Sequence, residues 1–244
     1  MDSETQLNRR RDWSAVIFAL VLPTVVTLAY FVLAAKFPPA VQQATYGVAK
    51  TFQFLFPILF VVFVQRMRPQ LWPWLTKGVL IGLLLGLAIG GLMLALYHWG
   101  LKSTVFFVVA AGEMRAKIAG MDLGSTTTFI AVGVFYSLIH SLLEEYYWRW
   151  FVFGQLRELT RLVPAMVISS LGFMAHHVLV IGTYFGFFSP WTWLFSFCVA
   201  IGGGVWAWLY NRSGSLLGPW LSHLLVDATI FLVGYEIAGP LLNK

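Results

Sequence analysis

Residues 126–153, TTTFIAVGVFYSLIHSLLEEYYWRWFVF, form a long apolar run that nonetheless contains two adjacent glutamates and an arginine. As a helix rising ~1.5 Å per residue, the run is long enough to cross a hydrocarbon layer of ~30 Å. A charged side chain at the centre of a membrane helix costs roughly 2.5–3.5 kcal/mol on insertion scales. Glu144, Glu145 and Arg149 therefore each need a partner, a wet cavity or a function.

Composition places this run in a membrane. Of the 244 residues, 59% are hydrophobic and 11% are charged, whereas roughly a quarter of the residues of a soluble domain are charged. We expect an all-α fold, a polytopic transmembrane helical bundle of about seven spans in one integral-membrane domain, residues 1–244, with a motif-bearing catalytic half at 126–236. The other spans are expected at residues 13–35, 43–65, 77–98, 162–184, 191–210 and 215–236.

Residues 103–123 are harder to place, because a short apolar start is followed by charges. The pattern predicts an amphipathic or half-inserted helix, with an eighth span as the alternative. The single cysteine, Cys198, lies within a span and excludes an intrachain disulfide. We expect it to be a small apolar residue of the core.

The basic residues predict the orientation of the chain. A cytoplasmic N-terminus would place most of them on the cytoplasmic side, as the positive-inside rule requires; they are Arg9, Arg10, Arg11, Arg66, Arg68, Lys77, Arg157, Arg161 and Arg212. We therefore expect a multi-pass protein of the cell membrane with Lys244 outside. This distribution accounts for the net charge of +6. A nucleic-acid-binding protein would need a soluble basic face interleaved with exposed aromatic residues, and the sequence has none, so we expect no nucleic acid as a partner.

Glycines recur at every fourth position of the third span, at Gly78, Gly82, Gly86 and Gly90. Small residues at this spacing form a smooth ridge on which another membrane helix packs closely. Three consecutive glycines, residues 202–204, indicate a second point of close packing or flexibility in the sixth span.

The two glutamates point in different directions, because neighbours on a helix are about 100° apart. Glu145 meets Arg149 one turn later, which predicts a structural ion pair. Glu144 shares a face with His140 and Trp148 and has no charge partner on its own helix. Its partners must come from other spans.

Two later spans have suitable side chains: His176 and His177 in the fifth, and His223 and Asp227 one turn apart in the seventh. Counting ~1.5 Å per residue from the arginine at each helix end places Glu144, His177 and Asp227 about 20–24 Å deep, in one layer. Carboxylates and imidazoles at one depth can activate water against a carbonyl group. The alternative is a set of satisfied core histidines and ion pairs.

The chain resembles a known family at three motifs. They are similar in order and spacing to the motifs of the CPBP family: Glu144 and Glu145 with Arg149, then Phe173 and His177, then His223 and Asp227. That family groups CAAX prenyl endopeptidases with bacteriocin-processing and self-immunity (Abi) proteins. The resemblance implies a glutamate-type intramembrane peptidase in which Glu144 and His177 activate water. Glu145 and Arg149 would support the site, and His223 with residue 227 would stabilise the oxyanion.

Some residues fall outside this pattern. His176 matches no motif position, so we expect it to serve packing or to face a neighbouring helix, as we do for His140 and His98. The better-studied CAAX endopeptidases have asparagine where this chain has Asp227. An ionised aspartate cannot donate a hydrogen bond to an oxyanion, so it is protonated, orients His223 or helps bind a metal.

We expect no cofactor, with zinc as the alternative. The sequence lacks a His-Glu-x-x-His helix, although Glu144, His177 and His223 are the ligand types of a catalytic zinc site. The expected partners are the bilayer and a membrane-embedded or lipidated peptide or protein substrate, which the sequence does not identify further. Two other classes stay open: a non-catalytic scaffold or bacteriocin self-immunity factor, and a proton-coupled transporter, which would usually show an internal repeat.

Overall fold

The computed structural model describes residues 3–34, 37–69, 76–120 and 124–242. Within these ranges the chain forms helices and no strands. The α-helices are α1 (Ser3–Leu28), α2 (Pro39–Leu59), α3 (Val79–Leu96), α4 (Val105–Gly120), α5 (Thr126–Phe135), α6 (Ser141–Glu145), α7 (Gly154–Leu159), α8 (Leu162–Phe185), α9 (Pro190–Ser213) and α10 (Leu217–Leu242).

Seven helical stretches are long and apolar enough to cross a membrane, which confirms the all-α bundle of about seven spans. They are Gln6–Leu33, Ala40–Val64, Val79–Leu101, Thr126–Leu159, Leu162–Phe185, Pro190–Ser213 and Leu217–Leu242. Each agrees with an expected span to within several residues. The chain is therefore a multi-pass membrane protein; Lys244, whose side of the membrane the sequence predicted, lies outside the described residues.

Helix α4 occupies most of the ambiguous stretch 103–123, of which residues 121–123 lie outside the described part. It has 16 residues and is not among the seven candidate spans. Its apolar side packs on other helices, with Phe107 and Ala111 in a small core beside Tyr97 and Ile237. This packing explains the apolar start of the stretch, and half-insertion stays a prediction.

The fourth span is a continuous helix that widens into π-helical turns at Tyr136–His140 and at Tyr146–Phe153, on either side of α6. Most side chains of the second wide segment are buried in the main core. The hydroxyl of Tyr147 donates a hydrogen bond to the carbonyl oxygen of Ala19 in α1 at 2.7 Å. Wide turns of this kind are frequent at functional sites, and here they surround Glu144 and Glu145.

The glycine ridge packs α3 against α10, as expected. A Cβ atom at Gly82 would overlap the carbonyl oxygen of Gly218, and one at Gly86 would lie 2.8 Å from a Leu225 methyl carbon. At Gly90 a Cβ would lie 2.6 Å from the hydroxyl of Thr229. Gly78 instead precedes the helix, with a φ of 89° that favours glycine.

The sixth span, α9, gives one confirmation and one correction. Gly203 lies against α8, where a Cβ would be 3.4 Å from the Phe173 ring and 3.5 Å from the Ser170 backbone. Cys198 is exposed, so the expectation of a core residue was wrong. In a membrane helix the outward face contacts lipid, and a small apolar thiol is equally acceptable there.

We predict that Gly82→Ala destabilises the protein by about 1–3 kcal/mol, because the added methyl group must push α3 away from backbone atoms of α10. Gly91→Ala is the matched control, since a Cβ at Gly91 meets nothing within 4 Å. Thermal unfolding of both variants in detergent measures the difference. Equal melting temperatures for the two would contradict the close packing at Gly82.

Candidate active site

Glu144 lies at the centre of a cluster of histidines. Its carboxylate is 4% exposed, with Oε1 3.5 Å from Nε2 of His176 and Oε2 3.7 Å from Nε2 of His223. The Nδ1 atom of His140, one turn earlier on the same span, is 4.0 Å from Oε2. The fourth span, α8 and α10 therefore meet at one carboxylate, as the shared depth predicted.

Glu145 faces another direction and makes shorter contacts. Its Oε1 atom accepts a hydrogen bond from Nδ1–H of His223 at 2.7 Å and lies 3.1 Å from Nη1 of Arg149. The expected ion pair between Glu145 and Arg149 is present, and both side chains are fully buried. Because His223 donates through Nδ1, its other ring nitrogen, Nε2, faces Glu144.

Arg149 is enclosed by aromatic rings. Its guanidinium lies 4.7 Å from the ring centre of Phe173 and 5.0 Å from that of Trp206. Nη2 approaches the carbonyl oxygen of Gly203 at 3.5 Å. A guanidinium is attracted to ring faces and is more weakly hydrated than an ammonium, which suits arginine to this buried place.

Packing also fixes the ring of His223. It stacks on Trp206 with ring centres 4.2 Å apart and planes 17° from parallel. The indole N–H of Trp206 donates to the hydroxyl of Ser222 at 3.0 Å, so the stacking partner is itself held. The hydrogen bond from Nδ1 to Glu145 and the stacking on the indole of Trp206 together fix the orientation of the His223 ring.

Asp227 lies one turn beyond His223 on α10. Its Oδ1 atom is 3.6 Å from Nε2 of His223, the same nitrogen that faces Glu144. The expectation that His223 and Asp227 share one face is confirmed. The Asp227 side chain is 18% exposed, more than either glutamate, so it lies at the edge of the cluster.

The two adjacent histidines of α8 make different contacts. His176 was expected to serve packing or to face a neighbouring helix, and it directs Nε2 to Glu144 of the fourth span while its ring stacks parallel to Trp148, with centres 5.6 Å apart. His177, the motif residue, bonds through Nδ1 to the carbonyl oxygen of Phe173 at 2.9 Å. No carboxylate oxygen of the described residues lies within 4.0 Å of the His177 ring nitrogens. The motif spacing could not reveal this rotation of α8.

His140 was expected to serve packing or to face a neighbouring helix, and it lies one turn before Glu144 on the same face, as the spacing predicted. Its ring is sandwiched between Tyr136, with ring centres 4.8 Å apart, and Phe54 of α2, at 6.1 Å. Lys50 of α2, whose ammonium lies over the Phe54 ring, was not singled out from the sequence. The available signal was a lysine in an apolar span, which is as unusual as the two glutamates.

His98 lies elsewhere, at the end of α3. Its Nε2 is 3.8 Å from Glu236 of α10, which also bonds to Lys102. That hydrogen bond raises the pKa of Lys102 above its usual range. This exposed group is separate from the histidine cluster, which agrees with the expectation that His98 faces a neighbouring helix.

The zinc alternative named Glu144, His177 and His223. The described residues contain no group of three His, Cys, Asp or Glu side chains arranged to hold a metal ion. The Nδ1 atom of His177 is bonded to the Phe173 carbonyl group, so only its Nε2 atom could be a ligand. The three side chains therefore do not form a ready ligand set.

Comparison with known proteins gives one match. The sequence profile of the family described as "Type II CAAX prenyl endopeptidase Rce1-like" matches residues 126–229. No curated protein and no solved structure matches the chain significantly. The matched residues include the fourth span, α8, α9 and the first half of α10, and thus every side chain of the three motifs. The match confirms, for residues 126–229, the resemblance to CAAX prenyl endopeptidases that the three motifs indicated.

Proposed function

We propose that the chain is an intramembrane protease that hydrolyses a peptide bond of a membrane-associated substrate, using water activated by Glu144. The substrate is a prenylated peptide or a C-terminal sorting peptide. One observation carries the proposal: a carboxylate buried in a membrane helix faces imidazole nitrogens from two other helices, His176 at 3.5 Å and His223 at 3.7 Å. A group of this composition and depth matches the needs of general base catalysis.

The contrast between the two glutamates supports this assignment. Glu145 makes contacts of 2.7 and 3.1 Å, which are ordinary hydrogen-bond distances, so its carboxylate is held in place. The contacts of Glu144 are 3.5 Å or longer, beyond the usual range for nitrogen and oxygen. A water molecule bridging Glu144 and an imidazole would satisfy both groups. Glu144 is therefore the reactive carboxylate, and Glu145 positions His223.

In the first step Glu144 takes a proton from water while the oxygen attacks the carbonyl carbon of the substrate. His176, on the Oε1 side, holds the water in line with Glu144. The carbonyl π bond breaks as the new carbon–oxygen bond forms, leaving a tetrahedral intermediate with a negative oxygen. The protonated Glu144 then gives its proton to the leaving nitrogen as the carbon–nitrogen bond breaks, so the base is regenerated.

His223 and Asp227 stabilise the negative oxygen. In the imidazolium form of His223, Nδ1–H stays bonded to Glu145 and the second proton, on Nε2, points to the reacting carbonyl group beside Glu144. Asp227 in its protonated form donates through its hydroxyl from the adjacent turn. Loss of a single oxyanion donor typically slows an enzyme by about 10²–10³-fold.

The bilayer and a lipidated or membrane-embedded substrate are the partners that this proposal requires. We further propose that the reaction uses no metal cofactor and that the N-terminus is cytoplasmic in the cell membrane, as the arginine distribution favours. A scaffold or immunity factor would not require an ionisable Glu144. A transporter would move a solute without cutting a peptide, so the same variants separate these functions.

We predict that Glu144→Gln abolishes peptide hydrolysis and leaves the protein folded, because glutamine keeps the volume and removes the base. Purified full chains in detergent are compared on prenylated and unprenylated fluorogenic peptides. Glu236→Gln, at an exposed ion pair outside the cluster, is the control and keeps wild-type activity. Hydrolysis by Glu144→Gln at the wild-type rate would refute the mechanism.

The two neighbouring histidines give a second prediction. His176→Gln lowers kcat by about 10²-fold or more, because a group that holds or shuttles the proton contributes roughly 10²–10⁴-fold. His177→Gln, whose ring bonds to the backbone of its own helix, keeps activity within about tenfold of wild type. Steady-state kinetics of both variants decides the point. The reverse order would show that the motif histidine, not His176, serves the reaction.

The third prediction concerns Asp227 and metal. Asp227→Asn keeps substantial activity, since an amide also donates a hydrogen bond with nearly the same reach, whereas Asp227→Ala loses about 10²–10³-fold. A chelator leaves the wild type active. Stoichiometric zinc in active protein, with an Asn variant that loses both zinc and activity, would establish the metal alternative instead.

A further inference from the structure

Three tyrosines of the first, second and fourth spans lie between one end of the bundle and the active site, and the proposed mechanism does not use them. That end, called here the α4 end, is where the first, third, fifth and seventh spans finish and the second and fourth begin. Helix α4 lies there because it joins the third span to the fourth. Polar hydroxyl groups inside an apolar bundle are costly unless they have polar partners.

The contacts between these side chains form a continuous series. The ring of Tyr30, in the first span, lies 4.4 Å from that of Tyr46 in α2, measured between ring centres. The side chains of Tyr46 and Tyr136 are within hydrogen-bonding reach of one another. The Tyr136 ring, in the fourth span, lies 4.8 Å from the ring of His140. Nδ1 of His140 is 4.0 Å from a carboxylate oxygen of Glu144, so the series ends at the reactive group.

The series also runs steadily inward from the α4 end. At ~1.5 Å per residue, Tyr30 lies about 4 Å and Tyr46 about 9 Å from that end of their own spans. On the fourth span, Tyr136, His140 and Glu144 lie about 15, 21 and 27 Å from it. Successive members are thus about one helical turn apart, and together they connect the surface with the buried carboxylate.

The hydroxyl groups of the series differ from that of the neighbouring Tyr147. The Tyr147 hydroxyl is bonded to the backbone of Ala19 at 2.7 Å, so it serves packing. Within the described part of the chain, no backbone oxygen accepts a hydrogen bond from Tyr30, Tyr46 or Tyr136. A hydroxyl group both donates and accepts, so each of the three can bond to water.

Two ammonium groups lie along the same series. Nζ of Lys117, from α4, is 5.1 Å from the ring centre of Tyr30. Nζ of Lys50, from α2, is 5.6 Å from that of Tyr46. An ammonium is strongly hydrated, and an aromatic ring does not replace its hydrogen bonds to water. These two charges therefore favour water beside the tyrosines.

We infer that Tyr30, Tyr46, Tyr136 and His140 line the route by which water enters the active site from the α4 end. This inference rests on the proposed function, because peptide hydrolysis consumes one water molecule in each turnover. The reacting water must cross an apolar bundle to reach Glu144, and hydroxyl and imidazole groups one turn apart can pass it along by hydrogen bonds. Such a route supplies water while the substrate occupies the site.

Cysteine accessibility tests the route. Cys198 is the single cysteine of the chain, so Cys198→Ser gives a thiol-free background for Tyr46→Cys or Tyr136→Cys. A cationic methanethiosulfonate reagent is added to the full chain in lipid nanodiscs, and mass spectrometry measures the rate of labelling. The reactive form of a thiol is the thiolate, which forms in contact with water and not in lipid. We therefore expect both positions to react at least about tenfold faster than lipid-facing cysteines.

Val48→Cys and Phe135→Cys are the matched controls. Val48 is two residues from Tyr46 and 73% exposed, and Phe135 is next to Tyr136 and 49% exposed, so both lie on the outer surface that faces lipid. Tyr147→Cys makes the same substitution away from the series and stays unlabelled. Labelling of the series at the rate of any of these controls would overturn the inference.

Kinetics tests whether this water serves the reaction. Complete labelling of Tyr46→Cys obstructs the route, so kcat falls by about tenfold or more with KM unchanged, whereas complete labelling of Val48→Cys has no effect. Tyr136→Phe removes only a hydroxyl group and lowers kcat by a smaller factor. Tyr147→Phe lowers the melting temperature but not kcat. An unchanged kcat in fully labelled Tyr46→Cys would overturn the inference.

Labelling requires no hydrolysis, so it separates this inference from the proposed function. If wild type cleaves no peptide while Tyr46→Cys and Tyr136→Cys label rapidly, the water route stands and the protease function fails. If wild type cleaves peptides while both cysteines label no faster than Val48→Cys, the protease function stands and the water route is refuted.

Discussion

The buried contact among Glu145, Arg149 and His223 is the constraint on which the rest of the site depends. A carboxylate in a membrane helix must be neutralised, and Glu145 is neutralised by Arg149 on its own span at 3.1 Å. Its bond of 2.7 Å to His223 then ties the fourth span to α10. One charge pair thereby fixes the separation of two helices and the direction of an imidazole. With one oxygen of Glu145 held in this way, the neighbouring Glu144 is left to face the other helices.

Packing elsewhere in the bundle supports this geometry. The glycine ridge of α3 lies against Gly218, Leu225 and Thr229 of α10, on both sides of His223 in sequence. On the opposite side, Trp206 of α9 stacks on the imidazole while its indole N–H is bonded to Ser222. The helix that presents His223 and Asp227 is thus confined by close backbone contact and by a flat aromatic surface. Small displacements of α10 would change the contacts of both glutamates, which explains why close packing of small residues flanks His223 along α10.

The first half of the chain also contributes to the site, although no motif lies in it. Phe54 of α2 contacts the rings of His140 and Tyr147, and the hydroxyl of Tyr147 bonds to α1. The wide helical turns of the fourth span place these aromatic groups around the two glutamates. In the proposed mechanism the motif-bearing half provides the reacting groups, and α2 contacts the same cluster through Phe54, over which Lys50 lies.

The sequence alone determined the membrane bundle, because apolar runs of about 20 residues have few alternatives to spanning helices. It also determined the Glu145–Arg149 pair and the shared face of His223 and Asp227, since a regular helix brings residues four apart together. Only the tertiary structure decided which histidine of α8 faces Glu144, because the rotation of a helix about its axis depends on its neighbours. His176 stacks on Trp148 of another span and His177 turns to its own backbone. The outward position of Cys198 and the approach of Lys50 to the cluster also depend on how each helix is rotated about its axis. Lipid and protein offer an apolar side chain such as Cys198 similar surroundings, so composition does not show which face of a membrane helix points outward.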